Sequence, residues 1–264
     1  MKRSSKDSRK GTDKQVYIVP AVDKAFRILS LLRNEGREMS VLEIAKATGF
    51  NSSTVHKLAV ALNYHGALER NKMNKKYSLG IALIEYGEAV LSDLSTRQTA
   101  KSFLRELVEY SGESAALSIL HGTKMVIVDI EESRAALRAS PTIGIIAPAT
   151  TTSNGKAVLA WLSESQVAKI IQKEGLPALT EKSITKPDVF LAELAAVRKR
   201  GYATDCEEYN EKLHAVSAPV FKSEGEVMGA ISIIGPSFRM TQQQIRRFGK
   251  KCVETASRLS ANLR

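Results

Sequence analysis

The stretch from Ser40 to Gly66 constrains the fold most, because its pattern is that of two short helices joined by a tight turn. Ser40 and Glu43 stand at the spacing of a capping box, in which each side chain binds an amide at the start of a helix. Gly49 can adopt the positive φ angle that a short turn requires. Asn51 is a suitable N-cap for the second helix. The stretch therefore predicts a helix-turn-helix.

The second helix of this pair carries polar side chains on the faces that packing leaves open. Its predicted buried stripe consists of Val55, Leu58, Ala59 and Leu62. Short and cationic hydrogen-bonding side chains lie on its other faces, and such groups contact phosphates and base edges in a major groove. The candidate DNA-contacting residues are Ser52, Ser53, Thr54, His56 and Lys57. An ordinary helical hairpin with a polar cap is the alternative.

A basic hairpin is predicted directly after this helix. Its strands run from Ala67 to Arg70 and from Lys76 to Leu79, with a polar turn between them. The cations near the turn are candidates for phosphate contacts: Arg70, Lys72, Lys75 and Lys76. A helix-turn-helix followed by such a hairpin is a winged helix, whose wing lies along the DNA backbone and supplies salt-sensitive affinity. A solvated hairpin without a DNA partner is the alternative.

The net charge is concentrated in the same region. Residues 1–80 hold 16 Lys/Arg and 7 Asp/Glu, whereas residues 81–264 hold 23 and 21. A chain of 264 residues with 43% hydrophobic content has room for two folded domains. The sequence shows neither a long apolar run nor a signal peptide, and its two cysteines form no metal motif, so we expect a cytoplasmic protein with no membrane partner.

The apolar spacing divides the chain into four parts. Residues 1–15 are predicted to be a disordered basic tail, residues 16–80 the winged helix-turn-helix, residues 81–95 a linker helix and residues 96–264 a second domain. The first helix of the DNA-binding domain is expected to bury Val22, Ala25, Phe26, Leu29 and Leu32. In the linker helix, Ile84, Gly87, Leu91 and Leu94 are spaced so that they share one face. This face is expected to pack either against a second copy of the chain or against the following domain.

The second domain shows strands, then helices, then strands and a final helix. ESAALSIL and MVIVDI predict a strand hairpin, and LRAS is expected to add a further strand. Three helices follow, one of them opened by a capping box at Ser163 and Gln166. YATDC, HAVSAPVF and VMGAISII predict strands, and Thr241 with Gln244 opens the last helix. This order predicts an α+β domain with a mainly antiparallel sheet.

Taken together, the chain resembles the IclR (isocitrate lyase regulator) family of bacterial transcription factors. The resemblance spans residues 20–264 and rests on VDKAFRILSLL, STVHKL, KYSLG, NGKAVLAWL, RKRGYATDCEEYNEKLHAVSAPVF and GAISIIGP in that order. It implies a winged helix, a linker helix and a GAF-like effector domain. It also implies homodimers or dimers of dimers on double-stranded DNA at a palindromic operator, and a small polar effector, usually an acidic metabolite.

The resemblance also implies an effector site, whose residues match the family's pattern unevenly. The implied effector-binding residues are Ser153, Asn154, Gly155, Asp205, Ala215 and Ser232. Ala215 stands where many relatives have cysteine, and Ser153 with Asn154 replaces an Ala-Leu pair, which adds hydrogen-bonding groups at the start of a helix. Such a start favours a carboxylate or a phosphate. Lys156 is expected to point away from the ligand.

Two other classes of function remain open at this stage. The first is a ligand-modifying enzyme fused to a DNA anchor, for which Cys206 and His214 are the available nucleophile and base, although no third orienting group is visible. The second is a constitutive architectural DNA-binding protein. The scattered histidines and the missing glycine-rich phosphate loops favour a protein that is not an enzyme and binds neither a metal nor a nucleotide cofactor.

Overall fold

The structure is a computed structural model that describes residues 18–93, 95–222 and 225–263. The chain divides between Val90 and Leu91 into two compact units. The tail predicted at residues 1–15 lies outside the described residues. The first unit contains α1 (Pro20–Glu35), α2 (Val41–Thr48), α3 (Ser52–Tyr64), β1 (Leu68–Arg70) and β2 (Tyr77–Leu79).

The helix ends of the first unit follow the capping signals of the sequence. The capping box of Ser40 and Glu43 opens α2, and the Asn51 side chain accepts from the amide of Thr54 at the start of α3. Gly36 and Gly49 end α1 and α2 in the left-handed conformation, with φ of 62° and 75°. The helix-turn-helix prediction is thereby confirmed.

The core of the first unit lies between its three helices and its hairpin. Ile28, Ile44, Val55 and Tyr77 are fully or almost fully buried there. The predicted buried face of α1 was wrong at two positions, because Val22 is 53% exposed and Phe26 is 64% exposed, while Ile28 takes the buried position. The helix is rotated so that its Ile28 and Leu32 row, one turn apart, meets α2 and α3.

Helix α4 (Ala82–Asp93) follows the hairpin and carries the predicted linker. Its side chains Ile84, Tyr86 and Val90 are each more than 60% exposed. Leu91, by contrast, packs against the core of the second unit, to which it belongs.

The second unit begins with one helix and a strand hairpin. These are α5 (Ser95–Ser111), β3 (Ser114–His121) and β4 (Lys124–Glu131), followed by β5 (Ile146–Pro148). Three helices come next, α6 (Ser153–Leu159), α7 (Glu164–Glu174) and α8 (Pro187–Arg200). The unit ends with β6 (Ala203–Cys206), β7 (Leu213–Phe221), β8 (Val227–Pro236) and α9 (Gln242–Asn262).

The six strands form one sheet in the order β5-β4-β3-β8-β7-β6, and each neighbouring pair is antiparallel. Ile231 and Ile233 of β8 pack toward α5 and α9, whereas Ala230 packs toward α6, as the alternation of side chains along a strand requires. The sheet thus has helices on both faces. The α+β fold with a mainly antiparallel sheet is confirmed.

The strand predicted at LRAS is absent from the described residues, and this expectation was wrong. Residues 137–140 form a loop whose carbonyl groups are bound by side chains, with Arg239 donating to the Leu137 oxygen and Ser114 to the Ala139 oxygen. The strand that pairs with β4 is instead β5, several residues further along. The backbone carbonyl groups of this loop therefore accept hydrogen bonds from side chains instead of from the backbone amides of a neighbouring strand.

Candidate nucleic-acid interface and ligand cavity

The N-terminal half of α3 presents an exposed polar face. Ser52, Ser53, His56 and Lys57 are all exposed and fall at positions i, i+1, i+4 and i+5, so they share one side of the helix. Thr54 is half-buried and its amide is held by Asn51 at 2.8 Å. The predicted set is therefore brought together as one surface, with Thr54 at its edge.

The hairpin β1–β2 carries the second predicted group of cations. Lys72 and Lys75 are exposed, and the Arg70 guanidinium lies 5.6 Å from the centre of the Tyr77 ring. Lys76 is less free, because its ammonium lies 3.6 Å from the Glu43 carboxylate on α2. The hairpin is thus tied to the helix-turn-helix, with most of its charge facing solvent.

Two cations on α1 extend this basic surface, and the sequence reading missed them. Lys24 and Arg27 stack on Phe50, the residue before the N-cap of α3, at 5.5 Å and 4.6 Å from its ring centre. Arg27 also donates to the Thr48 carbonyl at 3.4 Å. Their position next to the start of α3 depends on how α1 packs, which local sequence patterns do not show.

The second unit encloses a cavity of ≈ 230 Å³ between the sheet and the start of α6. Five of the six predicted effector residues line it: Ser153, Asn154, Asp205, Ala215 and Ser232. Asp205 of β6, Ala215 of β7 and Ile234 of β8 stand opposite one another in three neighbouring strands, which explains why residues far apart in sequence share one wall.

Most of the remaining wall was not found from the sequence. Its apolar side comes from β4, β5 and the loop between them. Its polar rim comes from the same loop, from the loop before β7 and from the start of β7. The apolar residues include Met125, Ile127, Pro141, Ile145 and Ala147, and the polar ones Ser140, Tyr209, Asn210 and His214. Alternating apolar strands carry no signal that separates a cavity wall from a core, so only the fold reveals these residues.

The start of α6 is fixed to the sheet by a chain of side-chain hydrogen bonds. Ser153 Oγ lies 2.7 Å from Ser217 Oγ, which lies 2.7 Å from Ser232 Oγ. Asn154 donates to Ser118 Oγ at 2.8 Å. The hydroxyl group of Ser153 and the side-chain amide of Asn154 are therefore satisfied by other side chains of the protein, which fix the start of α6 in place.

Gly155, the sixth predicted residue, lies outside the cavity wall. A Cβ at this position would stand 1.9 Å from the Ala149 carbonyl oxygen, so the residue allows α6 to pack directly on the preceding backbone. Its amide is bound by Thr152 Oγ1 at 3.2 Å and by Asn154 Oδ1 at 2.8 Å. The geometry gives Gly155 a packing role.

Among the described residues that line the cavity, Asp205 is the one carboxylate, and it is buried. Its Oδ1 accepts from the amides of Glu208 at 2.7 Å and Tyr209 at 3.3 Å. Burial raises the pKa of Asp205 from 3.8 to about 6, because these amides and the nearby Lys156 charge only partly offset the loss of water and the repulsion of Glu208. The group can therefore act as an acceptor or, when protonated, as a donor.

Replacing Asp205 by Asn is expected to stabilise the second unit above about pH 6. The folded protein holds this proton more tightly than the unfolded chain, so the stability is fully present below pH 3.8 and is lost as the pH rises through about 6. The shift corresponds to about 3 kcal/mol at most. Asparagine keeps the Oδ1 acceptor and cannot ionise.

Urea unfolding of both proteins across this pH range tests the expectation, followed through Trp161, the single tryptophan of the chain. The stability difference between Asp205→Asn and wild type should grow from about pH 4 to about pH 7 and then level off. A difference that is the same at all pH values contradicts it.

A buried ion pair lies beside Asp205. Lys156 of α6 is fully buried and is not among the residues that line the cavity. Its ammonium contacts both carboxylate oxygens of Glu208, at 2.6 Å and 2.5 Å. The Glu208 carbonyl accepts from Ser183 Oγ at 2.7 Å. The pair therefore joins α6, the loop after β6 and the segment before α8.

Cys206 and His214 stand opposite each other in β6 and β7, but their surroundings do not activate a nucleophile. Burial and the charges of Glu208 and Asp205 raise the pKa of the Cys206 thiol. His214 Nδ1 lies 2.9 Å from the Met240 carbonyl oxygen, which fixes that nitrogen as the donor.

Within the described residues no group of three or more His, Cys, Asp or Glu side chains is placed to hold a metal ion. None of the described helices is long and apolar enough to span a membrane.

These observations define a class of protein: a winged-helix DNA-binding regulator with a second unit that encloses a small-molecule cavity. Two family models match the chain, the IclR helix-turn-helix domain over residues 21–72 and the bacterial transcriptional regulator IclR C-terminal domain over residues 88–261. The chain belongs to the IclR family of transcriptional regulators.

Individual relatives agree with this assignment. The chain is 30% identical to the HTH-type transcriptional regulator XynR of Escherichia coli, with 93% of this chain and 98% of XynR covered. It is 27% identical to an IclR transcriptional regulator from Alicyclobacillus acidocaldarius, with a TM-score of 0.82 and coverage of 94% and 100%. An IclR homologue from Microbacterium hydrocarbonoxydans complexed with 4-hydroxybenzoate shares the fold at 20% identity, a TM-score of 0.77 and coverage of 92% and 98%.

Proposed function

We propose that this regulator binds its operator through α3 and the β1–β2 hairpin and that a small polar metabolite in the second unit controls the binding. The observation that carries the proposal is the cavity that Asp205 and the start of α6 line, because it gives the unit a site for a signal. The ligand acts by fitting one arrangement of the protein better than another, and the DNA affinity changes by the same coupling free energy.

The effector that we propose is a small hydroxylated monocarboxylic acid. The cavity of ≈ 230 Å³ suits a small metabolite. Asp205 offers its second oxygen to a hydroxyl group, and the backbone amides of Ser153 and Asn154, which precede the first intrahelical bond of α6, offer donors to a carboxylate. No Lys or Arg is among the described residues that line the cavity, which disfavours a dianion.

We also propose that the protein works as a homodimer or a dimer of dimers on a palindromic operator. Val22 and Phe26 on α1, and Ile84, Tyr86 and Val90 on α4, are each more than half exposed. Apolar side chains clustered on helices in this way mark an interaction surface. A two-fold pair presents two recognition helices to two half-sites one DNA turn apart.

Replacing Lys57 by Ala is expected to lower DNA affinity about tenfold, because an exposed cation of α3, the proposed recognition helix, loses its contact with a phosphate or a base.

Replacing Lys75 by Ala is expected to reduce the slope of log affinity against log salt concentration by about one, because one phosphate contact of the hairpin is lost. Fluorescence anisotropy with duplexes selected by the full chain from a random pool measures both. Lys169→Ala on α7, where the lysine is also exposed, is the matched control. Unchanged salt slopes would reject the role of the hairpin.

A thermal-shift screen of the full chain tests the ligand part. A ligand that binds only the folded state raises the melting temperature. We expect hydroxy monocarboxylates to do so, with 4-hydroxybenzoate and sugar acids among those tested. Their amides and the related dicarboxylates should shift the melting temperature less. A screen in which the amides match the acids contradicts the proposed ligand class.

The proposal excludes enzymatic turnover as the function. Two observations support this part of the proposal. The pKa of the Cys206 thiol is raised, and His214 Nδ1 is hydrogen-bonded to the Met240 carbonyl oxygen. Ligands identified by the screen should therefore be recovered unchanged after incubation with the protein. An architectural DNA-binding protein, the other rival, predicts no saturable ligand.

A further inference from the structure

The turn at the tip of the β1–β2 hairpin is held by its own side chains. Asn71 Oδ1 accepts from the amides of Met73 at 2.9 Å and Asn74 at 3.4 Å, and Asn74 Oδ1 accepts from the amide of Lys76 at 2.9 Å. Lys75 adopts a φ of 60°, and its amide donates to the Asn71 carbonyl at 3.0 Å. Asparagine side chains stabilise turns in this way.

The same turn is fixed to the rest of the first unit. The side-chain amides of Asn71 and Asn74 donate to the Glu38 carboxylate at 3.0 Å and 2.8 Å, and these bonds hold the pKa of Glu38 below its ordinary value. Met39, the next residue, pairs with Tyr77 of β2 through two backbone hydrogen bonds. The shape of the tip is therefore set before any partner binds.

This fixed tip presents Met73 to solvent. Met73 is 93% exposed, the highest value among the large apolar side chains that the structure describes. Other exposed apolar side chains, such as Phe26 and Ile84, lie on helices beside further apolar groups, whereas Met73 stands between the exposed cations Lys72 and Lys75. A lone apolar side chain between cations does not fit a protein interface, whose centre is apolar and poor in charge.

The arrangement fits the minor groove of DNA. Proteins that enter this groove place cations near the phosphates and insert an apolar side chain between two base pairs, which unstacks the step and bends the duplex. Met73 has the apolar character and the length for such a wedge, and Lys72 and Lys75 flank it. The rigid turn lowers the entropy that is lost when the side chain is placed.

We propose that Met73 inserts between base pairs in the minor groove beside the operator half-site and bends the DNA there. The inference rests on the proposed DNA-binding function and adds a residue that determines specificity. Pyrimidine–purine steps unstack most easily, so the wedge favours operators with a TA or CA step where the tip lands.

The test uses the full chain and duplexes that it selects from a random-sequence pool, with a dye at each end to report bending by energy transfer. Met73→Leu is the matched control, because it keeps an apolar side chain of similar volume. Met73→Ala and Met73→Gln remove the wedge. We expect Met73→Leu to bend the duplex as wild type does. The other two should leave it nearly straight and bind about tenfold more weakly, from the lost burial of the side chain.

Two controls separate the possible failures. Met73 has almost no contact with the core, so all variants should melt at the wild-type temperature. If Met73→Ala bends DNA as wild type does while Lys57→Ala still weakens binding, the wedge is rejected and the proposed function stands. If the wild-type chain selects no duplex, the proposed function and the wedge both fail.

Discussion

Replacing Lys156 by Met is expected to lower the free energy of unfolding of the second unit by about 3 to 5 kcal/mol. The substitution leaves the Glu208 carboxylate without its cation in a site where 13% of that side chain is exposed, and Asp205 stands close by with a second acidic group. Removing one member of a buried pair costs far more than the pair contributes, because the remaining charge has lost both its water and its partner.

Urea unfolding followed by Trp161 fluorescence measures this loss within the second unit. The control is Lys124→Met, where the lysine is 49% exposed and lies 4.0 Å from Glu174, and we expect a change of less than about 1 kcal/mol there. The double variant Lys156→Met with Glu208→Met should recover most of the stability, since no buried charge remains. A Lys156→Met protein as stable as Lys124→Met would show that the pair is not buried.

Replacing Gly155 by Ala is expected to destabilise the second unit by about 3 kcal/mol or more, because the new methyl group meets a backbone carbonyl that cannot rotate away. The start of α6 must then move off Ala149, which also displaces Ser153 and Asn154 from the cavity. Ligand binding and stability should fall together in this variant. A direct ligand contact at Gly155 predicts lost binding with unchanged stability.

Ser153→Ala is the matched control for this position. It removes one hydroxyl group whose partner, Ser217, keeps its bond to Ser232, so about 1 kcal/mol is expected. Both variants are measured by urea unfolding and by the thermal shift of a ligand from the screen. A Gly155→Ala protein with the stability of Ser153→Ala would contradict the packing role.

The sequence predicted best the features that depend on a few neighbouring residues. Capping boxes were expected at Ser163 and Thr241, and both are present, because a cap is decided within four residues. Pro187 likewise stands in the first turn of α8, a position that favours proline because the missing amide leaves no helical hydrogen bond unmade. The strand patterns of the sequence likewise predicted β3, β4, β6, β7 and β8, five of the six strands in the sheet of the described second unit.

What the sequence could not predict depends on contacts between distant segments. The rotation of α1 that exposes Phe26 is decided by α2 and α3, and the pairing of Lys156 with Glu208 joins residues 52 positions apart. Met125 and Ile145, which line the cavity, lie in or next to apolar strands, and their sequence does not distinguish a cavity wall from an ordinary core. Of the effector residues that the family resemblance implies, Asp205 and Ser232 line the cavity, whereas Gly155 lies outside its wall and packs against the Ala149 backbone.

In the function that we propose, a ligand in the second unit controls DNA binding by the first. The most direct measurement is the affinity of the full chain for a selected duplex, with and without an acid that raises its melting temperature, in wild type and in Asp205→Ala. We predict that the acid changes the affinity of the wild type at least fivefold, the lower end of ordinary coupling between sites, roughly 1 kcal/mol. Asp205→Ala should bind DNA equally well with and without it. A ligand that stabilises the protein yet leaves DNA affinity unchanged would contradict the account.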